Sequence, residues 1–117
     1  MSVDRTVIEV LKEFQEEGKP DFVKELFDMF VSMTPGMFEK IAKGLETADT
    51  QTVARTCHNL KSQSGNLGAM KLSILCGELE ALARTVPPSL EKMAAVFQSM
   101  TREYTEVEKE LRAILFG

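Results

Sequence analysis

The sequence predicts an all-α protein, an antiparallel four-helix bundle with an additional short N-terminal helix. Three observations predict it. Apolar residues recur at three- and four-residue spacing along the whole chain, the spacing of one face of a helix. No stretch alternates polar and β-branched residues for the length of a strand, and no Asn-Gly or Asp-Gly hairpin signal occurs. Glycines and prolines fall where such helices need to stop.

The first helix is expected from Asp4 to about Glu17, with Val3, Val7, Val10 and Phe14 on one stripe and Gly18 as its stop. The second opens at Lys19-Pro20 or Asp21, where a proline loses nothing by lacking its N–H. Phe22, Leu26, Phe27, Phe30, Val31, Phe38, Ile41 and Leu45 carry its apolar face to about Thr47. Pro35 removes an internal hydrogen bond, so a kink or brief break is expected near Met33-Thr34. Asp49 or Thr50 caps a third helix running to Asn66, with Gly68 just beyond its end. The fourth starts near Ala69, carries Leu72, Leu75, Leu79 and Leu82, and stops at "RTVPPS". The last runs from about Ser89 to Leu115 on a seam of Leu90, Met93, Phe97, Met100, Tyr104, Val107, Leu111 and Ile114. Four long helices on short links pack antiparallel, with the first laid across one end. Residues 1–117 are expected to form one domain, since 117 residues suffice for a single ordinary core.

The composition is that of a soluble globular chain, 44% hydrophobic and 27% charged. A net charge of −4 argues against nucleic acid as a partner, because phosphate neutralisation needs a basic footprint. No apolar run approaches the roughly 20 residues that cross a bilayer. The acidic, amphipathic start "MSVDRTVIEVLKEF" is unlike a signal peptide, so the cytoplasm is the expected location. Cys57 and Cys76 fall inside helical patterns and are read as reduced, small hydrophobes; a reducing compartment disfavours pairing them.

His58 is the chain's one histidine. At about 100° per residue, Leu60, Leu67 and Val53 lie on the opposite side of the third helix, so the imidazole faces outward. Its own strip holds Ala54, Ser62 and Gly65, with Lys61 and Arg55 on its flanks. Exposed helical positions usually carry Glu, Lys, Gln or Ala, and a glycine there costs up to about 1 kcal/mol against alanine. Small residues instead give clearance for another macromolecule to approach the ring.

One isolated, exposed imidazole suits few chemistries. Nothing at metal-ligand spacing accompanies it, and the neighbouring Cys57 points away. A hydrolytic triad would need a nucleophile and an orienting acid around a pocket. A covalent nucleophile and carrier needs neither. A neutral ring nitrogen attacks phosphorus, and Lys61, one turn on, supplies charge for the phosphoryl oxygens.

The stretch "CHNLKSQSGNLGAMKLSILCGELE", residues 57–80, resembles the histidine-containing phosphotransfer (HPt) domain family. The family's phospho-accepting histidine falls on His58, its lysine at +3 on Lys61, and its later glycines on Gly65 and Gly68. Cys76 and Leu79-Glu80 match the following helix, and "DFVKELFDMFV" and "YTEVEKEL" extend the likeness over nearly the whole chain. The departure is Ser62, where the family usually has glycine; it keeps the face open but adds a hydroxyl.

The resemblance implies a helical bundle and a phosphorelay intermediate. His58 would take a phosphoryl group from a receiver-domain aspartate, or from a sensor or hybrid histidine kinase, and pass it to another receiver. It implies no autonomous kinase or hydrolase activity and no resident cofactor, Mg2+ being supplied by the partner receiver. Arg55, Ser62, Gly65, Met33 and Met37, the last two in a stripe with Met29, are the expected docking residues. The same methionines would serve equally as core filler. A monomer is expected, since one site needs no dimer. The alternative is a non-catalytic helical adaptor that docks a receiver or kinase domain and leaves His58 unused.

Overall fold

The structure, a computed structural model, describes residues 1–15 and 22–117. Among them are five helices: α1 Arg5–Gln15, α2 Phe22–Thr47, α3 Thr50–Asn66, α4 Met70–Ala83 and α5 Leu90–Phe116. The predicted end of the first helix at Glu17-Gly18 and the opening of the second at Lys19-Pro20 or Asp21 lie outside the described residues, as does the seat of Phe14.

Two starts are fixed by side chains that satisfy otherwise unpaired N–H groups. Asp49 caps α3: its carboxylate accepts from the Thr52 amide at 3.2 Å and from the Thr52 hydroxyl at 2.7 Å. These hydrogen bonds hold the Asp49 carboxyl below its ordinary range. Ser89 caps α5 by accepting from the Lys92 amide at 3.3 Å.

The expected break near Met33-Thr34 does not occur; α2 is unbroken from Phe22 to Thr47 with Pro35 inside it. Pro35 is exposed, so the carbonyl it leaves without a donor lies toward water rather than the core. Packing on either side of the proline then holds the helix together. Phe30 and Phe38 meet the same Tyr104 ring of α5, with centroids 5.6 and 5.4 Å away. The buried Thr34 hydroxyl donates to the Phe30 carbonyl at 2.6 Å.

The first stripe is shifted from the expected one. Val3 and Ile8 are buried and Leu11 packs against the core, but Val10 is 47% exposed. Val3 precedes the helix, which starts at Arg5, so counting it in helical phase rotated the face. At the other end of the chain, Leu90 is exposed and the buried seam of α5 starts at Met93.

The N-terminal segment ties two parts of one bundle end together. The Ser2 and Val3 amides donate to the two carboxylate oxygens of Glu110 at 2.9 and 3.0 Å, and the Asp4 amide donates to the Gly68 carbonyl at 2.8 Å. Gly68 has φ +79°, and a Cβ there would sit 2.7 Å from the Asp4 carbonyl oxygen. Gly68→Ala is therefore expected to lose about 2 kcal/mol in chemical denaturation, from left-handed backbone strain plus displacement of Asp4. Burial pushes the Glu110 carboxyl up, but the Ser2 and Val3 N–H donors outweigh it and hold it below the ordinary range. The unfolded chain thus binds the proton first as pH falls. This part of the stability is present above the ordinary Glu value of about 4.3 and is lost as pH drops through the lower folded value. Glu110→Gln is expected to flatten that acid limb of a stability-against-pH curve.

Helix α3 is central, burying Val53, Ala54, Cys57, Leu60 and Ser64 between α2 and α4. Among the described residues, no helix is long and apolar enough to cross a membrane.

Candidate functional site

Helices α3 and α4 form an antiparallel hairpin around the turn at Leu67–Ala69. The Ser73 hydroxyl of α4 donates to the Lys61 carbonyl of α3 at 2.9 Å. One turn on, a Cβ on Gly77 would lie 3.4 Å from the Lys61 stem, so α4 leaves room for that side chain. Carrying this register one turn further sets Glu80 of α4 opposite His58 of α3.

Glu80 is the hub. His58 Nδ1 lies 3.3 and 3.4 Å from its two carboxylate oxygens. Lys61 Nζ is 3.4 Å from Oε1, and Arg84 donates from Nε and Nη2 to Oε2 at 3.1 and 3.0 Å. The Glu80 side chain is only 13% exposed, against 57% for His58 and 40% for Lys61. Burial alone would raise its carboxyl, but hydrogen bonds from Arg84, His58 and Lys61 outweigh that and hold it below the ordinary range.

A carboxylate kept ionised beside Nδ1 calls for a proton on that nitrogen. The neutral ring then carries its lone pair on Nε2, on the far side from Glu80. The arrangement leaves a nucleophilic nitrogen on the side of the ring away from Glu80 and sets the positive charge of Lys61 and Arg84 close behind it.

The histidine faces outward as the sequence predicts, but its strip is narrower than expected. Ala54 is 2% exposed and belongs to the core. The buried arc of α3 is wide because the helix is flanked on two sides, so it reaches to within about 40° of His58. Of the small residues, Ala54 serves packing, whereas Ser62 is exposed and Gly65 half-buried. The Ser62 hydroxyl donates back to the His58 carbonyl at 3.5 Å. A Cβ on Gly65 would meet only the Ser73 hydroxyl, at an ordinary 3.5 Å. Packing does not require that glycine.

Arg55 is exposed on the flank opposite Glu80. Met29 and Met33 are 58% and 43% exposed and border a groove of about 210 Å3 between α2 and α3. Met37 is half-buried against the core. Cys57 and Cys76 are buried and free; burial foremost pushes both thiols up to about 12, so neither supplies a thiolate nucleophile at neutral pH.

The structure thus joins His58 and Lys61 to Glu80 and Arg84, which sequence reasoning left without roles. A signal for them existed. Reflecting His58 through a hairpin turn at Gly68 lands near residue 78, within one turn of Glu80, and Arg84 stands at i+4 from it, the spacing of a helical ion pair.

The family model described as "Hpt domain" matches residues 25–115. Histidine-containing phosphotransfer protein 2 of Arabidopsis thaliana is 27% identical over 105 residues, covering 87% of this chain and 66% of that protein. Histidine-containing phosphotransfer protein 4 of the same plant is 24% identical over 103 residues, covering 86% of this chain and 80% of its own length. The chain thus spans just under two thirds of the first of these relatives. The crystal structure of histidine-containing phosphotransfer protein B from Pseudomonas aeruginosa PAO1 is similar with a TM-score of 0.83 and 29% identity, over 96% of this chain and 92% of that one.

Proposed function

Because the chain belongs to the Hpt domain family, we propose that it is a phosphorelay carrier whose phosphoryl group rides on Nε2 of His58. Its partners are receiver domains and a sensor or hybrid histidine kinase. The observation that supports this most is the carboxylate of Glu80 on Nδ1. It selects the tautomer in which Nε2 is the nucleophile.

Transfer starts with the Nε2 lone pair attacking the phosphorus of a receiver's aspartyl phosphate. The Nε2–P bond forms as the P–O bond to the aspartate breaks, and the aspartate leaves as a carboxylate. Nδ1 keeps its proton, so the ring gains positive charge, and the Glu80 carboxylate faces that charge as it develops. In the return direction another aspartate attacks phosphorus and the imidazole leaves neutral. Lys61 and Arg84, gathered on the Glu80 carboxylate beside the ring, contribute positive charge that offsets the phosphoryl charge. Glu80, already engaged by both cations, is poorly suited to bind Mg2+, so that ion belongs with the receiver's own carboxylates. On this reading the partners complete the transfer and the chain acts as a carrier.

Phosphotransfer profiling tests this reading: the phosphorylated protein is offered each receiver domain of the source organism, and rapid loss of label to at least one is expected. No transfer to any receiver would contradict it. Gly65→Ala tests the clearance argument. It is expected to hold or raise stability, by up to about 1 kcal/mol of helix propensity, while slowing transfer to receivers. Unchanged transfer would mean that partners do not approach so closely there.

A further inference from the structure

Three positions on the face of α4 that meets α3, Ser73, Gly77 and Glu80, engage Lys61 in turn. The Ser73 hydroxyl donates to its carbonyl at 2.9 Å, Gly77 lies beside its stem, and the Glu80 carboxylate stands 3.4 Å from its ammonium. Ser73 and Glu80 hold Lys61 by polar contacts. Gly77 is different, a glycine in a helix interior, where its backbone freedom destabilises α4 relative to alanine. Crowding by the backbone of α3 does not call for it. Among the described residues, and apart from the backbone of α4 itself, the one heavy atom within 4 Å of a Cβ placed there is Cδ of Lys61, at 3.4 Å.

We propose that Gly77 is a positioning residue for phosphoryl transfer: it leaves open the path along which Lys61 crosses α4 to stand beside His58. This rests on the phosphorelay reading, in which the Lys61 ammonium offsets phosphoryl charge. Side-chain direction supports it. A long helical side chain leans toward the N-terminus of its own helix. Lys61 therefore leans toward the level of His58, which in this antiparallel hairpin is the level of Glu80, and its stem passes Gly77 on the way. A long side chain at position 77 would lean the other way, back over Ser73, into the space where that stem leaves α3. A Cβ alone meets the stem at an ordinary contact distance, so the collision comes from the atoms beyond it. The Lys61 side chain is 40% exposed, so once displaced it swings into solvent and leaves Glu80 to His58 and Arg84.

The test is a double-mutant cycle of Gly77→Leu and Lys61→Gln on the full chain, with a purified receiver domain that takes the phosphoryl group from the wild type. Each single variant is expected to slow single-turnover transfer about tenfold, the loss of one charge-assisted contact. The double variant should be no slower than Lys61→Gln alone, because the leucine then has no ammonium to displace. Gly77→Gln reads the same clash should the leucine variant fold poorly, with the same outcomes expected. Transfer by Gly77→Leu at the wild-type rate would overturn the proposal. So would a double variant slower than Lys61→Gln by a further tenfold, since bulk at position 77 would then act on the receiver and not through Lys61. A carbon NMR titration of the Glu80 carboxyl reads the displacement with no receiver present. Burial raises that carboxyl, while Arg84, His58 and Lys61 together hold it down. Its midpoint should rise in Gly77→Leu and rise no further when Lys61→Gln is already present. An unmoved midpoint in Gly77→Leu would overturn the proposal. If wild-type His58 takes no label but the midpoint moves as expected, the carrier reading fails and the placement of Lys61 by Gly77 stands.

Discussion

His58→Gln is expected to reduce phosphoryl uptake to background while leaving the bundle intact. The wild type, incubated with an active kinase and receiver pair, should gain a label that is acid-labile and alkali-stable, the behaviour of a phosphoramidate bond. Glutamine keeps a polar, similarly sized side chain opposite Glu80 but has no nucleophilic ring nitrogen. Stability should change by no more than about 0.5 kcal/mol. The His58 side chain is 57% exposed, and Glu80 keeps Lys61 and Arg84 when the imidazole goes. Residual labelling of the variant would place the phosphoryl group elsewhere. The adaptor alternative predicts the opposite biological result: His58→Gln would leave the signalling output unaltered.

The second large effect is expected from Glu80→Gln, which changes no exposed nucleophile and adds no bulk. Single-turnover transfer to a receiver should slow about 100-fold. An amide has a donating end as well as an accepting one. Turned toward His58 it donates to Nδ1, which places the ring proton on Nε2 and removes the lone pair from the face the partner approaches. Loss of an orienting carboxylate is severe where the same tautomer choice matters, as in the serine-protease triad. The variant also loses the charge that faces the ring as the Nε2–P bond forms, and it frees Lys61 and Arg84 from their shared anchor. Denaturation should show little change, since the glutamine amide keeps hydrogen-bonding capacity in the same place and its partners His58, Lys61 and Arg84 stay substantially exposed. Transfer by the variant at more than a third of the wild-type rate would mean that Glu80 does not orient the ring.

Much of the fold was legible because the chain's local signals agree with one another. Asp49, Ser89 and Gly68 mark helix ends by chemistry that acts within a few residues, and each sits at the end it marks in the structure. The errors came where distant packing decides. Pro35 reads as a breaker, yet Tyr104, far away in sequence, holds the phenylalanines on both sides of it. Ala54 reads as part of an open strip because one helix wheel cannot show that α3 is covered on two flanks. Met37 and Met33, four residues apart, differ in burial for the same kind of reason.

The site divides along the same line. His58, its outward direction and the nearness of Lys61 follow from positions on a single helix. Glu80 is 22 residues away, and its contact exists only once the α3–α4 register is set.

Nitrogen NMR of the phosphorylated, 15N-labelled protein tests the central claim most directly, because it reads both ring nitrogens of His58 at once. The expected spectrum shows one-bond coupling between phosphorus and Nε2, with Nδ1 protonated. Phosphorus on Nδ1, or no phosphorus on His58 in a protein that has taken up label, would contradict it.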